Sequence, residues 1–267
     1  MDLRIPVQTS DLSLCIEQPY LIFEWDDLLP AADYAQLAAE FPGTQGEAGY
    51  KAQDAGKLYV NDRQGAFQQL IRGSQVWQDF YHAWHRQDVI DRLQRLVQPF
   101  ITHRPAEEQR PWQLVDSTDR HPKNLKERVG KKFQEKVLGR KTVRLGFEFS
   151  VLPDGAAVPL HTDAAFKLVS LLYYFPDPDW QRDWGGGTCF YKSKPGVEPW
   201  QLWKSYYLDD ADVPRFHQEH ELMVETAFAP NRISGFVKTD NSWHEVKPLR
   251  LPAGRLRRSL CINVFAW

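Results

Sequence analysis

At residue 142 the hydrophobic pattern changes its period, and no other feature of the chain constrains the fold as much. Val143, Leu145, Phe147, Phe149 and Val151 alternate with Arg144, Glu148 and Ser150, so successive side chains fall on opposite faces of a half-buried strand. Further strands are predicted at 168–175, 188–192, 224–228, 232–237 and 256–265. Before residue 142 the apolar residues recur mainly at helical spacing. Helices first and strands later is the order of an α+β fold, with the second half closing into an antiparallel double-sheet jelly roll.

The first part reads as packing elements for that core. Residues 15–25 form a predicted strand. Pro30 suits the first turn of a helix that runs from Ala31 to Phe41, where Pro42-Gly43 stops it. Residues 43–65 are Gly-rich and polar, with a short strand over 57–60. Ser74 caps a second helix with Trp77, Phe80, Tyr81 and Trp84 at helical spacing; a third carries Ile90, Leu93, Leu96 and Val97 on one side and ends at Pro99. These aromatics are read as core that packs helices on a sheet. Residues 102–122 are expected to be a loop. From Lys123 to Lys141 eight basic residues face two acidic ones, and Leu125, Val129, Phe133 and Val137 recur every four residues. That predicts an amphipathic helix whose basic face is either solvated or attracts an anionic substrate or partner.

Composition narrows the class. At 267 residues and 42% hydrophobic, the chain is one domain: 1–141 mainly helical, 142–267 the jelly roll. A formal charge of −2 argues against a nucleic-acid binder. Three scattered cysteines, Cys15, Cys189 and Cys261, form neither a disulfide framework nor a zinc site, so the expected compartment is the cytoplasm. There is no apolar signal core and no run of about 18 apolar residues, so no membrane segment is expected.

The chemistry is carried by His161-Thr162-Asp163, just ahead of the apolar run Leu168 to Phe175. In an extended segment alternate side chains share a face, so His161 and Asp163 point the same way. An imidazole and a carboxylate make two-thirds of a facial metal site, and His244, in Asn241-Ser242-Trp243-His244-Glu245-Val246, is the candidate for the rest. Two His and one carboxylate on one side of a metal suit non-haem Fe(II). An H-x-D triplet alone is unspecific; the weight comes from Arg257-Arg258-Ser259, which opens an apolar strand thirteen residues after His244. A buried guanidinium needs a partner, and its fork matches a carboxylate. Alternation puts Arg257, Ser259, Cys261 and Asn263 on one face and Arg258, Leu260, Ile262 and Val264 on the other. The more polar face suits a pocket, which favours Arg257 and leaves Arg258 as the alternative.

The order H-x-D, His, Arg resembles the 2-oxoglutarate- and Fe(II)-dependent dioxygenases, in particular their prolyl-hydroxylase-like branch. Tyr173-Tyr174-Phe175, Gly185-Gly186-Gly187-Thr188, Ser242 to Val246 and the phrase Tyr20 to Pro30 also match, so the resemblance runs from residue 15 or so to the end and is most specific over 147–267. It implies a double-stranded β-helix, a cupin-like jelly roll, with N-terminal packing helices. It also implies Fe(II) on His161, Asp163 and His244, and 2-oxoglutarate chelating that metal with its far carboxylate on Arg257 or Arg258. Ser259 completes the R-x-S pair, Tyr174 occupies a position whose hydroxyl reaches the same carboxylate in related enzymes, and O2 is the oxidant. The implied activity is hydroxylation coupled to oxidative decarboxylation of 2-oxoglutarate to succinate. Asp163 fits hydroxylation, since halogenating relatives carry a small residue there. One departure stands out: many relatives have a Tyr upstream of the first His, where this chain has Val151 and Phe149.

Residues 193–223 make a long excursion with Trp200, Trp203, Tyr206, Tyr207, Phe216, His217 and His220, read as a lid, with the two histidines on the surface or in that lid rather than on the metal. Lys167, Lys238, Thr239 and Asn241 lie close in sequence to the ligands and could face the substrate. That substrate is a small metabolite, a sugar or a peptide side chain, possibly anionic. Two other classes fit a jelly roll with such residues: a cupin-like metal-dependent isomerase or hydrolase, and a non-catalytic carbohydrate- or peptide-binding module.

Overall fold

The alternating segment becomes the longest strand of the protein, β6 (Lys141–Leu152), in a computed structural model that describes all residues except 44–48, 116–128, 130–132, 134, 199, 201–206 and 267. Before it come β1 (Leu14–Ile16), β2 (Ile22–Trp25), α1 (Ala31–Ala39), β3 (Lys51–Ala52), β4 (Leu58–Asn61), α2 (Gly65–Arg72), α3 (Gln75–Trp84), α4 (Gln87–Val97) and β5 (Trp112–Leu114). After it come β7 (Val158–His161), β8 (Lys167–Tyr174), β9 (Cys189–Ser193), α5 (Val213–Glu219), β10 (His220–Glu225), β11 (Ile233–Val237), β12 (His244–Val246) and β13 (Arg257–Ala266).

The strands form two sheets. The large one runs β1-β2-β11-β8-β13-β6-β4-β3, with β5 joined to β6 in parallel; the small one runs β10-β9-β12-β7. From β6 onward the chain supplies four strands to each sheet, the winding of a double-stranded β-helix. β13 is central: Cys261 lies opposite Glu148 on one side and Leu172 on the other. Alternation then gives this strand two jobs. Leu260, Ile262 and Val264 face the main core, and Arg257, Ser259, Cys261 and Asn263 face the space between the sheets.

Helices α1 to α4 cover the outer face of the large sheet. The indole of Trp77 meets the Phe149 ring edge-on at 4.8 Å, and Phe80 stacks on Tyr173 at 5.7 Å. Truncating such a ring in a packed core costs about 3–5 kcal/mol, so this aromatic layer is a main tie between helices and sheet. Ser74 caps α3 as expected, its Oγ accepting from Trp77 N at 3.3 Å.

Several boundaries differ from expectation. The strand over 15–25 is split into β1 and β2, because Pro19 lies between them and has no N–H to give a ladder. The loop over 102–122 contains β5, whose pairing with β6 supplies what its composition does not. α2 has no announcing cap: Gln64 makes no side-chain cap bond. The strand over 224–228 begins earlier, at His220, because its partner β9 sets where pairing starts. β7 and β12 are too short to show a period. The helix over 123–141 falls largely outside the described residues; within it, residues 135–138 are helical, and Glu135 accepts from Lys141 Nζ at 3.2 Å and Thr142 N at 3.0 Å. No helix among the described residues is long and apolar enough to cross a membrane.

Candidate metal centre

His161 ends β7 and His244 opens β12, and the antiparallel pairing of these strands sets the two residues directly opposite one another, ring centroids 4.1 Å apart. Asp163 follows two residues after His161. One ligand atom from each of the three lies within 4.8 Å of the others, so sequence-distant residues meet as one set.

Both imidazoles are prepared in the same way. His161 Nδ1 is 2.8 Å from the Pro159 carbonyl and His244 Nδ1 is 3.0 Å from the Ser242 carbonyl. A carbonyl only accepts, so each Nδ1 carries the proton and each Nε2 presents a lone pair. Burial pulls both histidines below their ordinary pKa, and each is the neutral form that a metal needs. Burial pushes the Asp163 carboxyl up, but the Lys167 ammonium beside it outweighs that and holds the group ionised, well below the usual carboxylate range. Asp163 Oδ1 accepts from Lys167 Nζ at 2.6 Å and Oδ2 from Ser170 Oγ at 2.5 Å. A carboxylate has about four lone-pair sites, so both contacts leave room for a metal bond.

Arg257 opens β13 and is 2% exposed. Its Nε donates to the Gly186 carbonyl at 2.7 Å and its Nη1 to Ser259 Oγ at 3.1 Å, with the guanidinium carbon 5.3 Å from the Tyr174 ring and 5.1 Å from that of Phe228. Its Nη2 is buried with no hydrogen-bond partner among the described residues. A buried charged donor left unmatched is costly. The glycine turn makes the approach possible: Gly186 has φ +105°, and a Cβ on Gly187 would lie 2.0 Å from the Thr226 carbonyl oxygen. The Tyr174 hydroxyl is bonded to Thr188 Oγ1 at 3.1 Å.

His161, Asp163, His244, Arg257 and Ser259 all line one cavity of about 360 Å³; Tyr174 does not. Arg258 is a correction. Strand alternation turns it to the opposite face, where its Nη2 lies 2.6 Å from Asp177 Oδ1 and its guanidinium 5.8 Å from the Phe41 ring. Lys238 also does not line the cavity; it is 2% exposed and donates to the Thr239 carbonyl.

The described part of the 193–223 excursion divides its work. Tyr207 stacks on His161 at 4.9 Å and accepts from Gln53 Nε2 at 2.6 Å, which places it at the cavity wall. Trp200, Leu208 and Phe216 instead pack with Leu160, Tyr191 and Trp243. His220 is not on the surface: it is 3% exposed, stacked on Phe216 at 3.8 Å and 3.2 Å from Ser193 Oγ, while His217 is exposed. Trp203 and Tyr206 lie outside the described residues. Sequence reading did not single out Lys57, Asn61, Asp62, Arg144 and Glu148, which also line the cavity. The one available signal was that Arg144 and Glu148 share the polar side of β6.

No family model and no curated protein sequence matches the chain. Among solved structures, the non-heme alpha ketoglutarate dependent carbocyclase from nogalamycin biosynthesis matches with a TM-score of 0.51 at 11% identity, over 93% of this chain and 80% of that one. A Pseudomonas putida prolyl-4-hydroxylase matches at TM-score 0.47 and 16% identity, over 93% and 94% of the two chains. A Trichoplax adhaerens prolyl hydroxylase, solved with a hypoxia inducible factor peptide, matches at 0.48 and 10%, over 92% and 83%. At 11% identity the likeness to the carbocyclase is one of architecture, and the chain has that fold: a double-stranded β-helix flanked by helices.

Proposed function

We propose that the protein is an Fe(II)- and 2-oxoglutarate-dependent oxygenase that hydroxylates a small polar substrate. The observation that carries this reading is the Nη2 of Arg257, buried and unmatched among the described residues, on a side chain that lines the same cavity as a His, Asp, His set. Two neutral imidazoles and one carboxylate fit Fe(II) and leave positions open. His161, Asp163 and His244 would hold the metal, and Arg257 with Ser259 would receive the far carboxylate of 2-oxoglutarate, giving Nη2 its acceptor. Bound together, iron, 2-oxoglutarate and O2 would supply the oxidising chemistry, with decarboxylation to succinate coupled to hydroxylation.

The chain does the rest. The Pro159 and Ser242 carbonyls fix the imidazole tautomers, and Lys167 and Ser170 hold Asp163 ionised and in place. Tyr207 supports the reading of the excursion as a cover. A cupin-like isomerase has no need of Arg257. The three free thiols suit a reducing compartment, and we assign the protein to the cytoplasm.

The test is an anaerobic absorption titration: Fe(II), then 2-oxoglutarate, added to metal-free protein. A weak visible charge-transfer band is expected. Arg258→Ala should show the same band, and loss of its half-buried ion pair should cost about 0–1 kcal/mol in a urea melt. Absence of the band while Fe(II) still binds would overturn the reading.

A further inference from the structure

Beyond the metal ligands the cavity continues along β6 and β4, and its wall there carries buried charges of both signs that the metal and the anion site do not use. The two strands pair with Tyr59 opposite Ser150 and Asn61 opposite Glu148. Lys57, one residue before β4, lies 2.6 Å from Glu148 Oε1; Asp62, one residue after β4, has its Oδ2 3.8 Å from Arg144 Nη1. The side chains are 12% and 23% exposed in the first pair and 7% and 5% in the second.

Register locates Glu148 against the metal ligands. Ser170, which bonds Asp163, is paired with Asn263; one inward-facing position along β13 is Cys261, and Glu148 is its partner on the other side. Glu148 is therefore one row from the residue that holds a ligand. Lys57 fixes one of its oxygens, and the other, Oε2, takes no hydrogen bond from a described residue. Arg144 lies four residues back along the same strand, about 13 Å away at ~3.3 Å per residue, and also lines the cavity.

An ion pair as buried as Arg144 and Asp62, beside a half-buried one of Lys57 and Glu148, is a poor way to hold two strands together. Apolar residues of the same volume serve at least as well, because each pair is desolvated before its attraction is gained. Ligand recognition does account for them. An anion alone would face Glu148 and Asp62, and a cation alone would face Lys57 and Arg144, each leaving an uncompensated charge in a low dielectric. A ligand that brings both signs meets a partner at each end, its negative end where Arg144 and Arg63 outnumber Asp62.

We propose that the substrate is a zwitterion of the amino-acid class, its ammonium on Glu148 and its carboxylate on Arg144, the two charges separated by a short chain. This rests on the oxygenase reading and names the substrate class for that same cavity.

Calorimetry on the full chain, under anaerobic conditions and with and without Fe(II), tests it with ε-aminocaproate and 5-aminovalerate as probes. Caproate and hexylamine carry one charge each, and glucose carries none. The zwitterions are expected to bind at least about tenfold tighter than either singly charged analogue. Glu148→Gln alone strands the buried Lys57, so the informative variant is Lys57→Gln with Glu148→Gln, which removes the pair as a unit. That double variant should keep a cooperative thermal transition and lose at least about tenfold in ε-aminocaproate affinity. The proposal is overturned by equal binding of caproate or hexylamine, by tighter binding of glucose, by undiminished binding in the double variant, or by no binding of either zwitterion. The heat is read independently of the charge-transfer band, so a protein that shows the band and ignores zwitterions leaves the oxygenase reading standing and removes only this one.

Discussion

Arg257→Ala is expected to weaken 2-oxoglutarate binding by about 2–5 kcal/mol, roughly thirtyfold to several thousandfold in Kd, and to remove the band at ordinary cosubstrate concentrations. The guanidinium already has its Nε on the Gly186 carbonyl and its Nη1 on Ser259, so it is held in one orientation, with Nη2 buried and unmatched among the described residues. Truncation removes both the charge and the fixed fork. Arg257→Lys should recover only part of the affinity, since a single ammonium cannot replace a planar fork. Fe(II) binding should be unchanged, which separates loss of the anion site from loss of the fold. Unaltered 2-oxoglutarate affinity in Arg257→Ala would leave the oxygenase reading without the observation that carries it.

His161→Ala should lose at least about a hundredfold in Fe(II) affinity, because removal of groups that merely orient a ligand already costs about 10–100-fold. Metal content after desalting and turnover should both fall to background. The fold should persist: the imidazole touches Tyr207 and His244 at the cavity wall and is not part of the main aromatic layer. His220→Ala supplies the contrast. That ring is buried against Phe216 on the outer side of the small sheet, so its removal should lower the melting temperature and leave iron content intact. Iron retained in His161→Ala, or lost in His220→Ala, would move the metal centre elsewhere.

The candidate site was only partly legible along the chain. His161 and Asp163 are two residues apart, and a local rule puts them on one side. Arg257 separates from Arg258 by the same rule, which the burial of one and the Asp177 contact of the other satisfy. His220 misleads for the opposite reason. Its polar side chain in a long excursion reads as surface, yet packing on Phe216 buries it, and nothing local to residue 220 announces that contact. The short strands β7 and β12 escape for a similar reason: with four and three residues they show no period, and they are strands because β12 pairs with β7 on one side and β9 on the other.

The sequence by itself determined the period of each long element, and through it which side chains share a face. That was enough for the jelly-roll class, for His161, Asp163 and His244 as a candidate set and for placing Arg257 and Arg258 on opposite faces. Only the tertiary structure decided what stands opposite what. That Lys57 meets Glu148, that Arg144 meets Asp62, and that both pairs border the cavity of His161 and His244 depends on the register of β4 on β6 and of β6 on β13. Alternation has no memory of register: a slip of two residues keeps every face and changes every partner. Register is settled by how the aromatic layer and the strands close around one core, and no single segment of the chain contains that information.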